Sequence, residues 1–507
     1  MKYDAIIIGS GLGGLSCSAY LARNGWKVLV LEKHIRQGGF AISFRRGDFT
    51  FDPSLHMMDG VGKGQNTYRF LEWCGVGSKI EFKKLKYFGR FIFPDDEIRL
   101  PGGNLESVMS VLEEHFPHER EGIRNLFRKM THIYNDVYKF LFSQIPLWLQ
   151  LPIFPLIYRG LYPVIKKTGE QFFNSYLNDS RLKATLLANW QFLGLPPSQL
   201  NVVYSVLPNM DYWMMGCYYP KGGNQMIPDT FVEVIKENHG EVLLNSEVTS
   251  ITTDGNKATG VVTKNGGRYS GRVIISNACP METFHNLIGK DKFPRKFMKK
   301  MDTMKQSLSY FCVYLGLDKE FRTMVKDEEE HEIFVLDTYD LEEDFRWCSN
   351  CEVEKGSFMI TLYSNVDDSF AKGNKFVLSL TQTQGYEYWS RYENDYIDGN
   401  KDFYNKEKDR MAKVLIKRTE KVFPELSKHI EVLVVATPLT MKRYTGNYKG
   451  AIIGWANTID QCSPMNRMSQ KTPIENLYLS SAWTFIGGGQ APVIMSGCRL
   501  GKKLIGR

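Results

Sequence analysis

The first 32 residues carry the feature that most constrains how this chain folds. An apolar run at residues 5–8 is followed by Gly9, Gly11 and Gly14, in the spacing Gly-x-Gly-x-x-Gly. In such a unit the first glycine permits a tight turn, the second lets backbone approach a pyrophosphate, and the third lets a helix pack on the strand. Residues 16–24 are predicted to form that helix, whose N-terminus offers N–H groups to phosphate. The pattern indicates a dinucleotide site; the alternative is a glycine turn inside an ordinary core.

An acidic residue closes the second apolar run, residues 26–31. Glu32 is placed where a carboxylate can accept both hydroxyl protons of an adenosine ribose, which suits an unphosphorylated ribose. The chain then continues with the pair Gly38-Gly39 and with Ser43. Two adjacent glycines let backbone N–H groups face phosphate without side-chain obstruction.

A glycine pair just after the ribose acid, followed by a small polar residue, resembles the flavoprotein amine oxidase and phytoene desaturase superfamily. In that superfamily this loop lies along the pyrophosphate and the flavin end of FAD. Nicotinamide enzymes with the same opening continue with ordinary βα units, which this chain does not have at that point. The resemblance therefore implies FAD rather than NAD.

Later blocks narrow the resemblance to the phytoene desaturase, carotenoid isomerase and retinol saturase family of FAD oxidoreductases. They are Tyr-Pro-Lys-Gly-Gly at residues 219–223, a strand at Val248, a strand at residues 273–277, and residues 477–497 with a triple glycine. The last block departs from the family at Ala482, where many relatives carry an acidic residue that holds the ribityl chain of the flavin.

The resemblance implies an α/β fold in which a discontinuous Rossmann-like FAD-binding domain receives an inserted α+β substrate domain. The FAD domain is expected from residues 1–70, 218–300 and 440–507, and the substrate domain from residues 71–217 and 301–439. A helical, apolar, membrane-facing segment is expected at residues 140–165. The cofactor-binding residues predicted are Gly9, Gly11, Leu12, Gly13, Gly14, Glu32, Lys33, Gly38, Gly39, Ser43, His56, Val248, Asn277, Trp483, Gly488 and Gly489.

The function implied is reduction or desaturation of carbon–carbon bonds in a long apolar substrate drawn from a membrane: a carotenoid, a retinoid or another isoprenoid lipid. The electron donor or acceptor stays open, because no second Gly-x-Gly-x-x-Gly unit is present for a nicotinamide cofactor. Three alternatives remain: a flavin-dependent polyene isomerase without net redox, a lipid carrier with structural FAD, and an amine oxidase.

His56 and Tyr444 are the candidate acid–base residues. His56 follows the loop expected near the flavin, although a structural histidine would give the same pattern; Tyr444 is supported only by its place in Lys-Arg-Tyr-Thr-Gly. The sequence contains no Ser–His–Asp signature, no His-Glu-x-x-His and no metal-ligand spacing, so no metal is expected.

An uncharged stretch at residues 140–158 is long enough to nominate a transmembrane helix. Pro146, Pro152 and Pro155 argue against a straight span, because each removes a donor and kinks the helix. Trp148 and Tyr158, with basic residues just after them, favour shallow insertion at a membrane interface. A buried wall of the core or of a substrate tunnel is the alternative.

Composition adds few constraints. The 507 residues carry a net charge of +8, which suits an anionic membrane surface, and no aromatic-interleaved basic stretch points to nucleic acid. Nine scattered cysteines, including the pair Cys348/Cys351, suggest free thiols in a reducing compartment. With no secretory signal visible, a cytoplasmic protein peripheral to a membrane is expected.

The acidic runs at residues 327–330 and 342–344 are predicted to be solvated.

Overall fold

The computed structural model describes residues 2–143, 145, 147–463 and 466–506. The strands found in these residues follow the chain as β1 (Lys2–Ile8), β2 (Val28–Leu31), β3 (Phe44–Arg46), β4 (Phe49–Phe51), β5 (Met58–Asp59), β6 (Phe82–Leu85), β7 (Tyr87–Ile92), β8 (Glu97–Pro101), β9 (Cys217–Pro220), β10 (Glu241–Leu243), β11 (Val248–Asp254), β12 (Lys257–Thr263), β13 (Arg268–Ser276), β14 (Ser309–Leu317), β15 (Glu332–Val335), β16 (Phe358–Leu362), β17 (Phe376–Gln384), β18 (Ile430–Ala436) and β19 (Leu477–Leu479).

The α-helices of the described residues lie between these strands. In order they are α1 (Leu12–Arg23), α2 (Asn66–Trp73), α3 (Leu105–His115), α4 (Arg120–Phe142), α5 (Leu147–Gln150), α6 (Phe154–Ile157), α7 (Gly169–Phe173), α8 (Ser180–Leu187), α9 (Trp190–Leu193), α10 (Val202–Met210), α11 (Met226–Glu237), α12 (Arg295–Thr303), α13 (Lys319–Arg322), α14 (Leu341–Ser349), α15 (Tyr386–Ser390), α16 (Glu393–Asp398), α17 (Asp402–Thr419), α18 (Pro438–Thr445), α19 (Ile459–Cys462) and α20 (Gln490–Ile505).

The first sheet is built around the predicted dinucleotide unit. Its parallel strands run in the order β10-β2-β1-β13, with β19 beside the second half of β13 and the antiparallel β12 and β11 beside the first half. Every side chain of β2 is buried, as expected for a parallel strand covered on both faces. The carboxyl ends of β1, β2, β13 and β19 therefore meet at one edge, where ligands bind in open α/β sheets.

Helix α1 begins at Leu12, four residues before the predicted start at residue 16. The third glycine explains its closeness to the sheet, because a Cβ on Gly14 would lie 2.7 Å from Gly9 O and 3.1 Å from a methyl group of Ile7. The other face of α1 is covered by α20, whose Gly497 packs directly on Gly13 and Ser16. The C-terminal helix thus returns to the fingerprint at the start of the chain.

The second sheet has the order β18-β14-β17-β16-β15-β7-β8. Its pairs are antiparallel except β15 with β7, and β7 forms a hairpin with β8. All nine residues of β14 and all nine of β17 are buried. Together the two sheets make the chain a mixed α/β protein.

The prediction that both acidic runs are solvated is wrong. Asp344 is fully buried and accepts hydrogen bonds from Trp190 Nε1 at 2.9 Å and from the backbone N–H of Ser357 at 2.7 Å. Glu330 is also buried and pairs with Arg99 at 2.9 Å. The sequence of an acidic run does not show which of its carboxylates is buried. A single carboxylate can be buried where the folded chain supplies hydrogen-bond donors for it.

The uncharged stretch folds into short helical turns rather than one long helix. No helix of the described residues is long and apolar enough to cross a membrane. Residues 144 and 146, and with them the prediction made from Pro146, lie outside the described residues. The turns leave large apolar side chains in solvent, notably Trp148 at 70% and Leu156 at 66% exposure; Ile145, Leu149, Leu151, Ile153 and Tyr162 are also exposed.

The nine cysteines are free thiols, and eight of them are buried. Burial raises the pKa of Cys351 to about 12 and raises that of Cys348 well above its ordinary value. Neither thiol of the pair is therefore available as a thiolate at neutral pH. Among the described residues, no group of histidines, cysteines and carboxylates is arranged to hold a metal ion.

Candidate functional site

A cavity of about 590 Å³ lies at the carboxyl edge of the first sheet. Fourteen of the predicted cofactor residues line it, although they come from distant parts of the chain: Gly9, Gly11, Leu12, Gly13, Glu32, Lys33, Gly38, Gly39, His56, Val248, Asn277, Trp483, Gly488 and Gly489. Of the remaining two, Gly14 packs beneath the turn, as described, and Ser43 lies behind the glycine loop.

The glycines form a cradle of bare backbone at one end of this cavity. Gly9 and Gly39 have φ values of +89° and +62°, a left-handed conformation that favours glycine. A Cβ on Gly39 would lie 3.3 Å from Gly11 Cα, so any side chain there would press on the facing turn. The two loops are held together by the Gly38 N–H, which donates to Ser10 O at 3.0 Å.

Glu32 follows β2 beside this cradle, and its carboxylate is held by three donors. Ser10 donates from its backbone N–H at 2.8 Å and from its hydroxyl at 2.6 Å, and the His34 N–H donates at 2.9 Å. These bonds fix the carboxylate on the cavity wall, where ribose hydroxyls can donate to it.

The C-terminal block is fastened to the N-terminal turn through two polar side chains. Asn277, which follows β13, donates its amide to the Ser480 carbonyl, and its side chain lies directly under Gly9 and Gly11. The Ser480 hydroxyl donates to Gly13 O at 2.7 Å. Residues 480–490 are thereby brought to the phosphate end of α1.

Two polar side chains of this block are buried without partners. Ser481 Oγ and both amide atoms of Gln490 have no hydrogen-bond partner within the described residues, and both side chains line the cavity. Buried polar atoms are rarely left unsatisfied, so they indicate a polar ligand in the cavity. The bare glycine cradle, the Glu32 carboxylate and these groups fit FAD. Ala482 also lines the cavity, and Ser481 and Gln490 offer polar contacts on either side of it.

His56 lies on another wall of the same cavity and is almost completely buried. Its Nδ1 lies 3.0 Å from Glu332 Oε1 and 2.9 Å from Thr361 Oγ1, and its ring packs against Phe192 with centroids 5.2 Å apart. Nε2 is the ring nitrogen left for a molecule in the cavity. Glu332 was not predicted; the signal available in the sequence was a carboxylate at the start of the apolar strand Glu-Ile-Phe-Val.

A second polar group on the wall was also missed. Asp211 accepts hydrogen bonds from the hydroxyls of Tyr134 and Tyr138, each at 2.8 Å, and Asp59 lies close enough to perturb its ionisation. Burial is the main cause that raises the pKa of both carboxyls. Tyr138 is on α4, so this cluster lies where the cavity approaches the uncharged stretch.

Tyr444 is placed apart from His56. Its carbonyl accepts a hydrogen bond from His34, two residues after Glu32, so Tyr444 lies on the nucleotide side of the cavity. Its side chain is half exposed. The geometry brings Tyr444 to the site but away from the acid–base candidate.

The Tyr-Pro-Lys-Gly-Gly block supports the glycine loop from behind. Tyr219 and Ser43 both donate their hydroxyls to the buried carboxyl of Asp52, and the Asn224 N–H donates to it at 2.7 Å. Gly223 has a φ of +90°, and a Cβ on it would lie within 3.4 Å of both Asp52 and Ser43. These residues shape the loop without lining the cavity.

Comparison with known proteins identifies relatives along almost the whole chain. Residues 12–374 match the family described as "Flavin containing amine oxidoreductase". The chain is 28% identical to the chloroplastic prolycopene isomerase of Daucus carota, covering 98% of this chain and 79% of that protein. It is 25% identical to a 4,4'-diapophytoene desaturase of Methylomonas sp, covering 99% and 94%, and 26% identical to the all-trans-retinol 13,14-reductase of Rattus norvegicus, covering 96% and 83%.

Solved structures show the same fold. An oxidoreductase from Methanosarcina mazei aligns with a TM-score of 0.63 at 16% identity, covering 99% of this chain and 100% of that one. Putrescine oxidase bound to putrescine aligns with a TM-score of 0.64 at 13% identity and covers both chains completely.

Proposed function

This chain belongs to the flavin-containing amine oxidoreductase family and is an FAD-dependent oxidoreductase, and we propose that it reduces or desaturates a carbon–carbon bond of an isoprenoid polyene. The proposal agrees with the activities of three relatives, the prolycopene isomerase, the 4,4'-diapophytoene desaturase and the all-trans-retinol 13,14-reductase. Their identities of 25–28% leave the substrate and the direction of reaction open.

The observation that carries the proposal is the continuity of the cavity. It runs from the glycine cradle past His56 to Tyr138 and Leu141, near the end of α4. Beyond the nucleotide end its wall is mainly apolar, with Leu55, Met57, Phe192, Leu193, Leu207 and Ile453 among the lining side chains. An elongated apolar molecule can therefore lie beside FAD with its far end toward the uncharged stretch.

The residues of the site can perform the proton transfer of the proposed reaction. Bound FAD supplies hydride exchange with one carbon of the bond. For reduction, His56 Nε2–H can give a proton to the neighbouring carbon, so that two electrons and two hydrogens enter the substrate; in desaturation Nε2 takes that proton back. The apolar wall excludes water from the reacting bond.

We also propose that the exposed apolar side chains of this stretch dock on an anionic membrane surface; they are Ile145, Trp148, Leu149, Leu151, Ile153, Leu156 and Tyr162. Trp148 and Leu156 project into solvent, and an exposed apolar patch of this kind is typical of an interaction site. Tyr158 and Gln150 hydrogen-bond beneath it and hold the turns in place. Arg159, Lys166 and Lys167 follow in the chain and can contact anionic headgroups.

The experiment exposes the FAD-loaded enzyme, photoreduced or oxidised, to prolycopene, 4,4'-diapophytoene and all-trans-retinol in detergent micelles under argon. Flavin absorbance and product mass are followed together. Gain of two hydrogens with flavin re-oxidation indicates a reductase, and loss of two with flavin reduction indicates a desaturase. Geometric conversion at unchanged mass would replace the proposal with the isomerase alternative. A flavin that responds only to amines, with hydrogen peroxide formed, would overturn it in favour of an amine oxidase.

A further inference from the structure

We propose that Glu332 is the positioning residue of a buried His56–Glu332 dyad, which holds His56 with Nε2 directed at the substrate and supports its charged form during proton transfer. The inference rests on the proposed function for the identity of the substrate, but the dyad itself is a property of the protein. It names a residue that lies 276 positions from its partner and is not part of the FAD cradle.

The geometry assigns the two ring nitrogens different tasks. Nδ1 faces Glu332 Oε1 and Thr361 Oγ1, and the carboxylate is the stronger acceptor of the two. In the neutral ring the proton therefore resides on Nδ1, and Nε2 keeps a free lone pair. Phe192 and Tyr310 pack on the ring from two sides and restrict its rotation.

Burial strengthens the interaction between the Glu332 carboxylate and His56. Glu332 is 1% exposed, and its second oxygen, Oε2, has no hydrogen-bond partner within the described residues. A buried carboxylate that is incompletely hydrogen-bonded strongly favours a neighbouring cation. His56 is the group placed to become that cation, because it is the salt-bridge partner of Glu332.

The other titratable groups around the pair do not supply a competing charge. His331 donates from Nε2 to the His56 carbonyl, and burial is the main cause that lowers its pKa, so it favours its neutral form. Tyr310, Tyr212 and Tyr363 are also near Glu332, and burial raises the pKa of each, so they remain neutral as well.

The proton balance is simple. In reduction the Nε2–H bond breaks as a C–H bond forms on the substrate, and His56 returns to the neutral form with its proton on Nδ1 beside Glu332. In desaturation the Nε2 lone pair takes the substrate proton, and the resulting imidazolium is paired with the Glu332 carboxylate. Glu332 acts through His56 Nδ1 in both directions and does not line the cavity that the substrate would occupy.

The test is an NMR titration of the FAD-loaded protein labelled with ¹³C and ¹⁵N in histidine, with the His56 signals assigned by His56→Gln. Glu332→Gln keeps the shape but removes the carboxylate that faces Nδ1, so the midpoint of the His56 titration is expected to move to lower pH. The matched control is Glu330→Gln, which removes a buried carboxylate two residues away that pairs with Arg99 and not with His56. The control is expected to leave the His56 pKa unchanged.

The wild-type ¹⁵N shifts test the dyad without any variant. A neutral ring protonated on Nδ1 is expected; a neutral ring protonated on Nε2 would overturn the proposal, as would an unchanged His56 pKa in Glu332→Gln. Where a polyene is turned over, the pH limb of kcat should move with the His56 pKa in Glu332→Gln and stay in place in Glu330→Gln. Absence of turnover with every polyene would refute the proposed function and leave the NMR result on the dyad intact.

Discussion

Substitution of Asp52 tests how the glycine loop of the cofactor site is supported. Its carboxyl is fully buried and is the shared acceptor for Ser43, Tyr219 and the Asn224 N–H. Asp52→Ala leaves three buried donors without this acceptor, and each stranded group costs about 1–3 kcal/mol. Partial rearrangement of the two hydroxyls reduces the total, so we expect the free energy of unfolding to fall by about 3–5 kcal/mol.

Asp52→Asn separates charge from shape. Burial, opposed by the three hydrogen bonds, raises the pKa of Asp52 from 3.8 to about 6. Because the folded pKa lies above the unfolded one, the native protein binds this proton more tightly, and ionisation lowers stability as the pH rises through that interval. A pKa difference of about 2 between the folded and unfolded states corresponds to about 3 kcal/mol, which the wild type loses between about pH 4 and about pH 7 and the asparagine variant does not.

The assay is urea unfolding of wild type, Asp52→Ala and Asp52→Asn without added FAD, from about pH 4 to about pH 7, where other carboxyls contribute equally to all three proteins. The difference between Asp52→Asn and wild type should grow in favour of the variant by about 3 kcal/mol across this range. If the free energies of unfolding of Asp52→Asn and wild type change in parallel with pH, the folded protein does not raise the pKa of Asp52. A loss below about 1 kcal/mol in Asp52→Ala would refute the shared-acceptor network.

Three further predictions concern other parts of the molecule. Trp148→Asp combined with Leu149→Asp should weaken co-sedimentation with anionic liposomes at least about tenfold while FAD content stays the same; Phe403→Asp, at another exposed aromatic, is the control, and unchanged binding in the double variant would refute the docking surface. Ser481→Ala should weaken FAD binding about fivefold to tenfold, measured by flavin fluorescence, and unaltered affinity would show that this hydroxyl does not contact the cofactor. A thiol reagent should react quickly with at most Cys462 in the native protein, since the other eight cysteines are buried; rapid reaction of several thiols would contradict that burial.

The parts of the fold that the sequence predicts well are those set by local rules. The strand–turn–helix unit at the start of the chain follows from the placement of Gly9, Gly11 and Gly14. Fourteen predicted cofactor residues line one cavity because a glycine motif fixes backbone, and backbone forms most of the cradle. Ser43 was an exception, since its hydroxyl is directed away from the cavity by Asp52.

Side-chain pairs between distant segments were not predictable in this way. The residues around Glu332 in the sequence do not predict its contact with His56. Those around Asp59 do not predict that it lies near Asp211. Each pair forms because separate strands or helices converge on the cavity. In a run of charged residues, the sequence does not show which side chain is buried. In the case of Glu332 the signal is a carboxylate at the start of an otherwise apolar strand, β15.

The segment at residues 52–56 connects the two halves of the candidate site. Its first residue, Asp52, supports the glycine loop of the FAD cradle. Its last, His56, is held through side chain and carbonyl by residues 331, 332 and 361 at the second sheet, and Tyr363 donates to Leu55 O at 2.9 Å. The first sheet therefore carries the proposed cofactor cradle, and residues at the second sheet hold His56, the proposed proton-transfer group. Because Asp52 and His56 belong to one short segment, a change at Asp52 is expected to shift His56 relative to the glycine loop, and variants at Asp52 should affect turnover as well as stability.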